Sequence, residues 1–252
     1  MTSSVSSVET VLALNAAEDR LQAVLGSAGE IFSSREVLAP SRGITVLPRA
    51  VQQCLEEAGM QAADLDGIAC VRGPGAFTGL RIAISYVLGL SQSAGVPTCG
   101  VDYLPLVAEF PAQTVPGELW AMIRARINTV YLQGFFFHPE HGLRAVSRPG
   151  AFFLDQACQV LEGRPASLYL VGSGLQQNRE YLAGCLSRAR FLDRIWDKPS
   201  ADTLLSAASR GDYSFEPIEP SYMRPSDAEA DLPRIAARRG VDLDNWRNRG
   251  EE

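Results

Sequence analysis

The sequence has no long apolar stretch. None of its runs approaches the roughly 20 apolar residues that a membrane-spanning helix needs, although 46% of its 252 residues are hydrophobic. Basic charge is also scarce. The 23 Lys and Arg stand against 29 Asp and Glu, a formal net charge of −6, whereas a chain that grips nucleic acid by itself presents a basic patch to several phosphates. Lys198 is the only lysine, which reads as a bias of genome composition. Histidine is confined to His138 and His141, and there is no GxSxG elbow, so nothing is present to activate a serine or cysteine nucleophile. Cys54, Cys70, Cys99, Cys158 and Cys185 form no CxxC pair and are odd in number. They read as buried, reduced thiols, not as a disulfide framework or zinc site. The Ser/Thr-rich start, Met1–Thr10, has neither a basic beginning nor a long apolar region, so a frayed end and no secretory signal are expected. These absences predict a soluble cytoplasmic protein without a metal.

What is present is a succession of short apolar segments. Thr10–Asn15, Leu21–Leu25 and Glu30–Leu38 read as three strands of an antiparallel meander. Between Val46 and Ala58, Val46, Leu47, Val51, Cys54, Leu55 and Ala58 fall on one helical face, and Gly59 ends that helix. A strand over Leu65–Arg72, a turn at Gly73-Pro74-Gly75, a helix over Thr78–Ala94 and a strand over Val96–Val101 make a βαβ crossover, so part of this sheet is parallel. After a linker from Phe110-Pro111 to Gly117 the order recurs. Leu119–Ala125 and Thr129–Phe137 read as paired strands, with a third over Ala145–Arg148. Phe152–Leu161 is helical, Ser167–Val171 is a strand, and Leu175–Arg188 and Ala201–Ala208 are helices. The reading is of two α/β halves, 1–110 and 111–222, facing each other across a cleft. A charged tail, 223–252, follows, with disorder expected and Trp246 as an anchor.

One segment is dense in information: Val71-Arg72-Gly73-Pro74-Gly75-Ala76-Phe77-Thr78-Gly79-Leu80-Arg81-Ile82. Gly73, Gly75 and Gly79 permit close approach of backbone or ligand. Thr78 suits a helix N-cap, a helix N-terminus suits an anion, and Arg81 one turn inside would add a cation. A phosphate loop of Gly73, Pro74, Gly75, Thr78, Gly79 and Arg81 is one reading. Tight packing of helix on strand is the other. The lysine of a P-loop is missing, and GxGxxxG replaces the dinucleotide spacing GxGxxG.

This segment resembles the GPGSFTGLRIG signature of the TsaB (YeaZ) family, with Ala76 for serine and Ala83 for the final glycine. Gly100-Val101-Asp102-Tyr103-Leu104 resembles the family's GVSSL, Arg124–Tyr131 its DARxxEVY hairpin, Gly172-Ser173-Gly174 its late glycine turn, and Pro220–Arg224 its closing PxYLR. The likeness spans about residues 10–225. It implies an actin-like (ASKHA, ribonuclease H-like) fold of two related α/β subdomains with mixed sheets. It also implies a non-catalytic subunit in the making of threonylcarbamoyladenosine in tRNA. The implied partners are a catalytic TsaD-type transferase and a TsaE-type ATPase, with tRNA contacted indirectly and homodimers in isolation. Family members pair through the two helices of the first half, here 46–58 and 78–94, so Val51, Leu55, Ile84 and Val87 are expected to be exposed interface positions. The opposing reading is that they face the chain's own sheet.

The first strand departs from the family's "IDTA" ending, with Leu14-Asn15-Ala16-Ala17 in its place. In actin-like ATPases an acid at that position helps hold metal and phosphates, and a neutral Asn15 is a poor magnesium ligand beside a carboxylate. The family's "HSExLLP" survives only as Leu47-Pro48, after Arg42–Val46. ATP or ADP in the cleft or at the partner interface, with an ATPase or kinase activity, is the alternative to a scaffold. Among other candidates, His138-Pro139-Glu140-His141 reads as a solvated turn or, less readily, a metal chelate. Asp64 and Asp66 read as solvent-facing, and Asp102 as a lone carboxylate at a strand end.

Overall fold

The computed structural model describes residues 8–38, 43–164 and 167–223. Contacts divide the chain into a body, Met1–Ser221, and a second unit, Tyr222–Glu252. The tail and its Trp246, the N-terminal residues 1–7 and the segment 39–42 lie outside the described residues.

The body holds two sheets. The first contains β1 (Thr10–Asn15), β2 (Arg20–Ser27), β3 (Glu30–Leu38), β4 (Gly67–Gly73) and β5 (Thr98–Asp102) in the order β3-β2-β1-β4-β5. β1 runs antiparallel to β2 and parallel to β4, which is parallel to β5. The second contains β6 (Glu118–Arg126), β7 (Thr129–His138), β8 (Gly142–Ala145), β9 (Gly150–Phe153), β10 (Leu168–Val171) and β11 (Arg190–Phe191). Its order is β8-β7-β6-β10-β11, and β9 continues the β7 edge beside β8. Strand for strand this repeats the first sheet, with β6 in the place of β1 and β10 in that of β4. The actin-like class implied by the resemblance is the observed one.

The helices are α1 (Gly43–Ala58), α2 (Phe77–Ala94), α3 (Tyr103–Ala112), α4 (Leu154–Glu162), α5 (Ser173–Gln177), α6 (Arg179–Cys185) and α7 (Ala201–Ser209). β1 is buried on both faces, as a central strand flanked by helices must be. Its alternate residues Leu12 and Leu14 join Leu25, Leu47, Val51, Cys54, Ile68, Ile84 and Val87 in the core beneath α1 and α2. Trp120, Met122, Leu132, Leu154, Leu161, Leu170 and Leu182 form the corresponding core beneath α4, α5 and α6.

The remaining two helices cross over. α3 follows the first sheet in sequence but packs against β6 and β7, whereas α7, late in the chain, packs against β1 and β2, and the two helices touch each other. The expected boundary at residue 110 therefore falls inside α3. That helix takes up the first residues of the expected linker, and 113–117 remain a turn leading into β6. The expected helix 175–188 is broken at Asn178, which separates α5 from α6.

Candidate functional site

The glycine-rich turn lies on the end of β1. α2 begins at Phe77 with Ala76 as its N-cap, and Ala76 has no side-chain oxygen to cap with. Thr78 is thus an exposed first-turn residue and not the expected cap. The Ala76 N–H donates to the Ala17 carbonyl at 2.6 Å. A Cβ on Gly75 would overlap that same carbonyl, and one on Gly79 would overlap the carbonyl of Ala16. Pro74 is buried, and Gly73 packs against the Ser221 carbonyl. The Arg81 guanidinium sits 4.0 Å over the Phe77 ring centroid. The motif is brought together, but its close approach is to the protein's own backbone, where an anion cradle needs open N–H groups.

The second half uses the same device. After β10, a Cβ on Gly172 would overlap the Met122 carbonyl, and one on Gly174 would press on the backbone of Ile123. In each half, the glycine turn after the strand parallel to the first (β4 or β10) closes on that first strand's backbone, at Ala16 and Ala17 just past β1 and at Met122 and Ile123 within β6. At both turns the glycines allow backbone to pack closely on backbone.

Between the two strand ends lies a polar cleft lined by Asn15, Glu18, Asp19, Tyr103, Ser173 and Asp197, with Arg20, Arg194 and Lys198 among its other residues. Glu18 is its centre. Its carboxylate accepts from Tyr103 Oη at 2.9 Å and from Ser173 Oγ. The Ser173 hydroxyl in turn accepts from the Arg124 N–H at 3.0 Å. Burial raises the Glu18 carboxyl above its usual range, against the lowering effect of these hydroxyls. Asn15 Nδ2 donates to Gln22 Oε1 at 2.8 Å, and Gln22 donates to the Pro199 carbonyl at 3.0 Å. Asn15 is thus a structural hydrogen-bonding residue tying β1 to β2.

These residues do not fit nucleotide phosphates. Two of the cations, Arg20 and Lys198, are paired with Glu36. A phosphate reaching the centre would meet the Glu18 carboxylate, and Asn15 offers a metal only a neutral amide already bonded to Ala17 N–H at 3.0 Å.

The helix positions expected at an interface are placed differently. Val51, Ile84 and Val87 are buried in the first core, and Leu55 is partly buried against it. Helical period marks a face, and this face meets the sheet. The outward side of the same two helices carries a shallow groove of Leu47, Pro48, Arg81, Ile82, Ser85 and Tyr86. Ile82 and Tyr86 are its half-buried apolar walls. Sequence reasoning missed them, though they flank Ala83, Ile84 and Val87 on α2 and pack on the rim of the same core.

Asp102 is not alone, because Arg72 grips it through two nitrogens, at 2.8 and 3.3 Å. Asp66 accepts from the Thr10 N–H at 2.8 Å and Asp64 from the Gln61 N–H at 2.7 Å, so both carboxylates fasten turns. Cys54, Cys70 and Cys99 are buried free thiols, but Cys158 and Cys185 are joined in a disulfide. The expectation of five reduced thiols fails there because α4 and α6 pack on one side of the second sheet, with Cα atoms 6.4 Å apart. His138, Glu140 and His141 gather at the β7–β8 turn with stacked imidazoles and ligand atoms within 4.8 Å of one another.

A family model described as "TsaD: tRNA N6-adenosine threonylcarbamoyltransferase" matches residues 39–138. The tRNA threonylcarbamoyladenosine biosynthesis protein TsaB of Escherichia coli K12 is 31% identical over 235 residues, covering 88% of this chain and 98% of that protein. The chain belongs to the TsaB family. A crystal structure from Pseudomonas aeruginosa, described as an uncharacterized protein similar to peptidase YEAZ, superposes with a TM-score of 0.71 at 29% identity, covering 86% of this chain and all of that one. YeaZ from the same organism gives 0.68 at 28% identity, over 85% and 99% of the two chains. The family's link to transferases is visible in sequence too. A tRNA N6-adenosine threonylcarbamoyltransferase of Sorangium cellulosum is 42% identical over 69 residues, 27% of this chain and 19% of that protein. Among the described residues, no helix is long and apolar enough to cross a membrane.

Proposed function

We propose that this TsaB-family chain is the non-catalytic partner of a cytoplasmic TsaD-type transferase that places threonylcarbamoyl on adenosine in tRNA. The pairing runs through the outward face of α1 and α2. The observation that carries this reading is the apolar groove of Leu47, Pro48, Ile82 and Tyr86 beside Arg81 and Ser85. It lies on the helix pair through which the resemblance implies association. A half-buried aromatic and a branched aliphatic around a buried base are the kind of anchors on which interfaces depend. The halves 1–110 and 111–222 act as one scaffold body in this reading.

Absence of chemistry in the chain is supported by its cleft, where Asn15, Glu18, Tyr103, Ser173 and Asp197 are engaged in holding the fold. A TsaE-type ATPase joins the same assembly, and tRNA is met through the transferase. The same groove seats a second copy when the transferase is absent. Co-purification from the source organism tests the reading. The transferase subunit is expected to come down with this chain, and Ser85→Arg, exposed in the groove, is expected to abolish its recovery while the variant stays folded. Failure to recover it, together with intact tRNA modification after deletion of the gene, would overturn the proposal.

A further inference from the structure

The cleft between the sheets contains a buried acid that the partner-subunit reading leaves unused. Glu18 belongs to the β1–β2 turn, yet its two hydrogen-bond partners come from elsewhere. Tyr103 is the first residue of α3, and Ser173 the first of α5. Three separate elements therefore converge on one carboxylate, 85 and 155 residues from its partners. The neighbouring backbone is engaged as well. The Arg124 N–H is taken up by Ser173 Oγ and the Gly172 N–H by Asp197 Oδ1 at 3.1 Å. These two backbone donors beside the cleft are thus taken up by side chains of the chain itself.

We infer that Glu18 is a built-in anion that stands where a phosphate-bearing ligand would otherwise enter, holding the β1–β2 turn to α3 and α5 and barring nucleotides from the cleft. A carboxylate with two hydroxyl donors has the hydrogen-bond demands of a phosphate oxygen pair. A phosphate brought beside it meets like charge in a poorly solvated place. Asp19 and Asp197 add to that repulsion, and of the cations in the same lining Arg20 and Lys198 are paired with Glu36, which leaves Arg194 to oppose it. Glu18 is a positioning and selectivity residue in this sense and takes no part in a reaction. The inference concerns the cleft and stands whether or not the α1–α2 face binds a transferase.

Amide hydrogen exchange on the full chain, with Mg-ATP and tripolyphosphate as probes, tests it. In the wild type neither probe is expected to protect 16–19 or 173–177 at millimolar concentration. Glu18→Ala is expected to speed exchange in both segments about tenfold, the loss of a hydrogen-bonded charged group. Glu18→Gln keeps the size and one acceptor, so its exchange stays within about threefold of wild type. Tyr103→Phe removes one bond to Glu18, and Ser173→Ala removes its bond to Glu18 together with the acceptor of the Arg124 N–H, so both test the same contact if Glu18→Ala does not fold. Exchange faster in these segments than elsewhere is expected of both. Protection of the segments by Mg-ATP in the wild type would overturn the inference. So would unchanged exchange in the folded variants.

Discussion

Gly75 and Ala17 meet backbone to backbone, with no room for a single methyl group between the Gly75 Cα and the Ala17 carbonyl. The next residue, Ala76, donates its N–H to that carbonyl at 2.6 Å. The contact joins the start of α2 to the end of β1, and Gly172 meets Met122 in the corresponding place of the second half.

Gly75→Ala is therefore expected to destabilise the fold by about 1–3 kcal/mol, the usual cost of overpacking. Gly172→Ala should cost more, because Gly172 also has φ +113°, a conformation that alanine rarely adopts. Urea denaturation of the two variants checks both values. A fall in midpoint without a change in slope is the expected signature.

The two faces of the α1–α2 pair should respond in opposite ways. Val87→Ala empties space in the first core and is expected to cost about 2 kcal/mol of stability. Ser85→Arg, at the exposed part of the outer groove, should leave stability within about 0.5 kcal/mol and remove binding to the transferase. Thermal denaturation and a binding titration, run on both variants, separate the roles.

Glu18 and Glu118 should give the pH profile opposite slopes. Burial raises Glu18 above 4.5, with Asp19 adding to the rise and Ser173, Tyr103 and Arg124 opposing it. The proton-linked part of its contribution to stability is full below the unfolded value and lost as pH rises through the folded one, while the hydroxyl bonds from Tyr103 and Ser173 still hold the carboxylate. The Arg164 hydrogen bond holds Glu118 below 4.5. Its contribution is present above the unfolded value and lost as pH falls through the folded one. Relative to wild type, Glu18→Gln should gain stability as pH rises through the Glu18 titration. Glu118→Gln should lose the acid-side slope. Stability measured from pH 3 to about pH 8 by denaturant titration reads both signs.

Cys158 and Cys185 close a loop of sequence separation 27. Chain-entropy reasoning puts the stabilisation at about 3 kcal/mol. Peptide mapping without reductant should recover the two cysteines as one linked pair, with Cys54, Cys70 and Cys99 alkylated only after unfolding. A reductant should lower the melting temperature of the wild type and leave a Cys158→Ala/Cys185→Ala variant unmoved.

Local pattern carried much of the fold. β1 and β3 end where their apolar segments end, and the strand–turn–helix around Gly73–Ile82 was legible from its turn residues alone. α3 was hidden because Pro105 and Pro111 and an unbroken apolar run obscured its period. Its position also depends on β6 and β7, which are distant in sequence. Burial of Val51, Ile84 and Val87 was not legible for a related reason: amphipathic period gives a stripe but does not say which body covers it. The tie of Glu18 to Ser173, and of Arg72 to Asp102, arises only when the chain folds back on itself, so no spacing announces either.

The most direct test of the partner-subunit claim is a reconstituted modification reaction containing the TsaD-type transferase, its ATPase partner, the activated threonylcarbamoyl donor and tRNA. The expected result is threonylcarbamoyladenosine only when this chain is added, restored by Glu18→Gln and not by Ser85→Arg. Full modification without the chain, or transfer by the chain without the transferase, would contradict the claim.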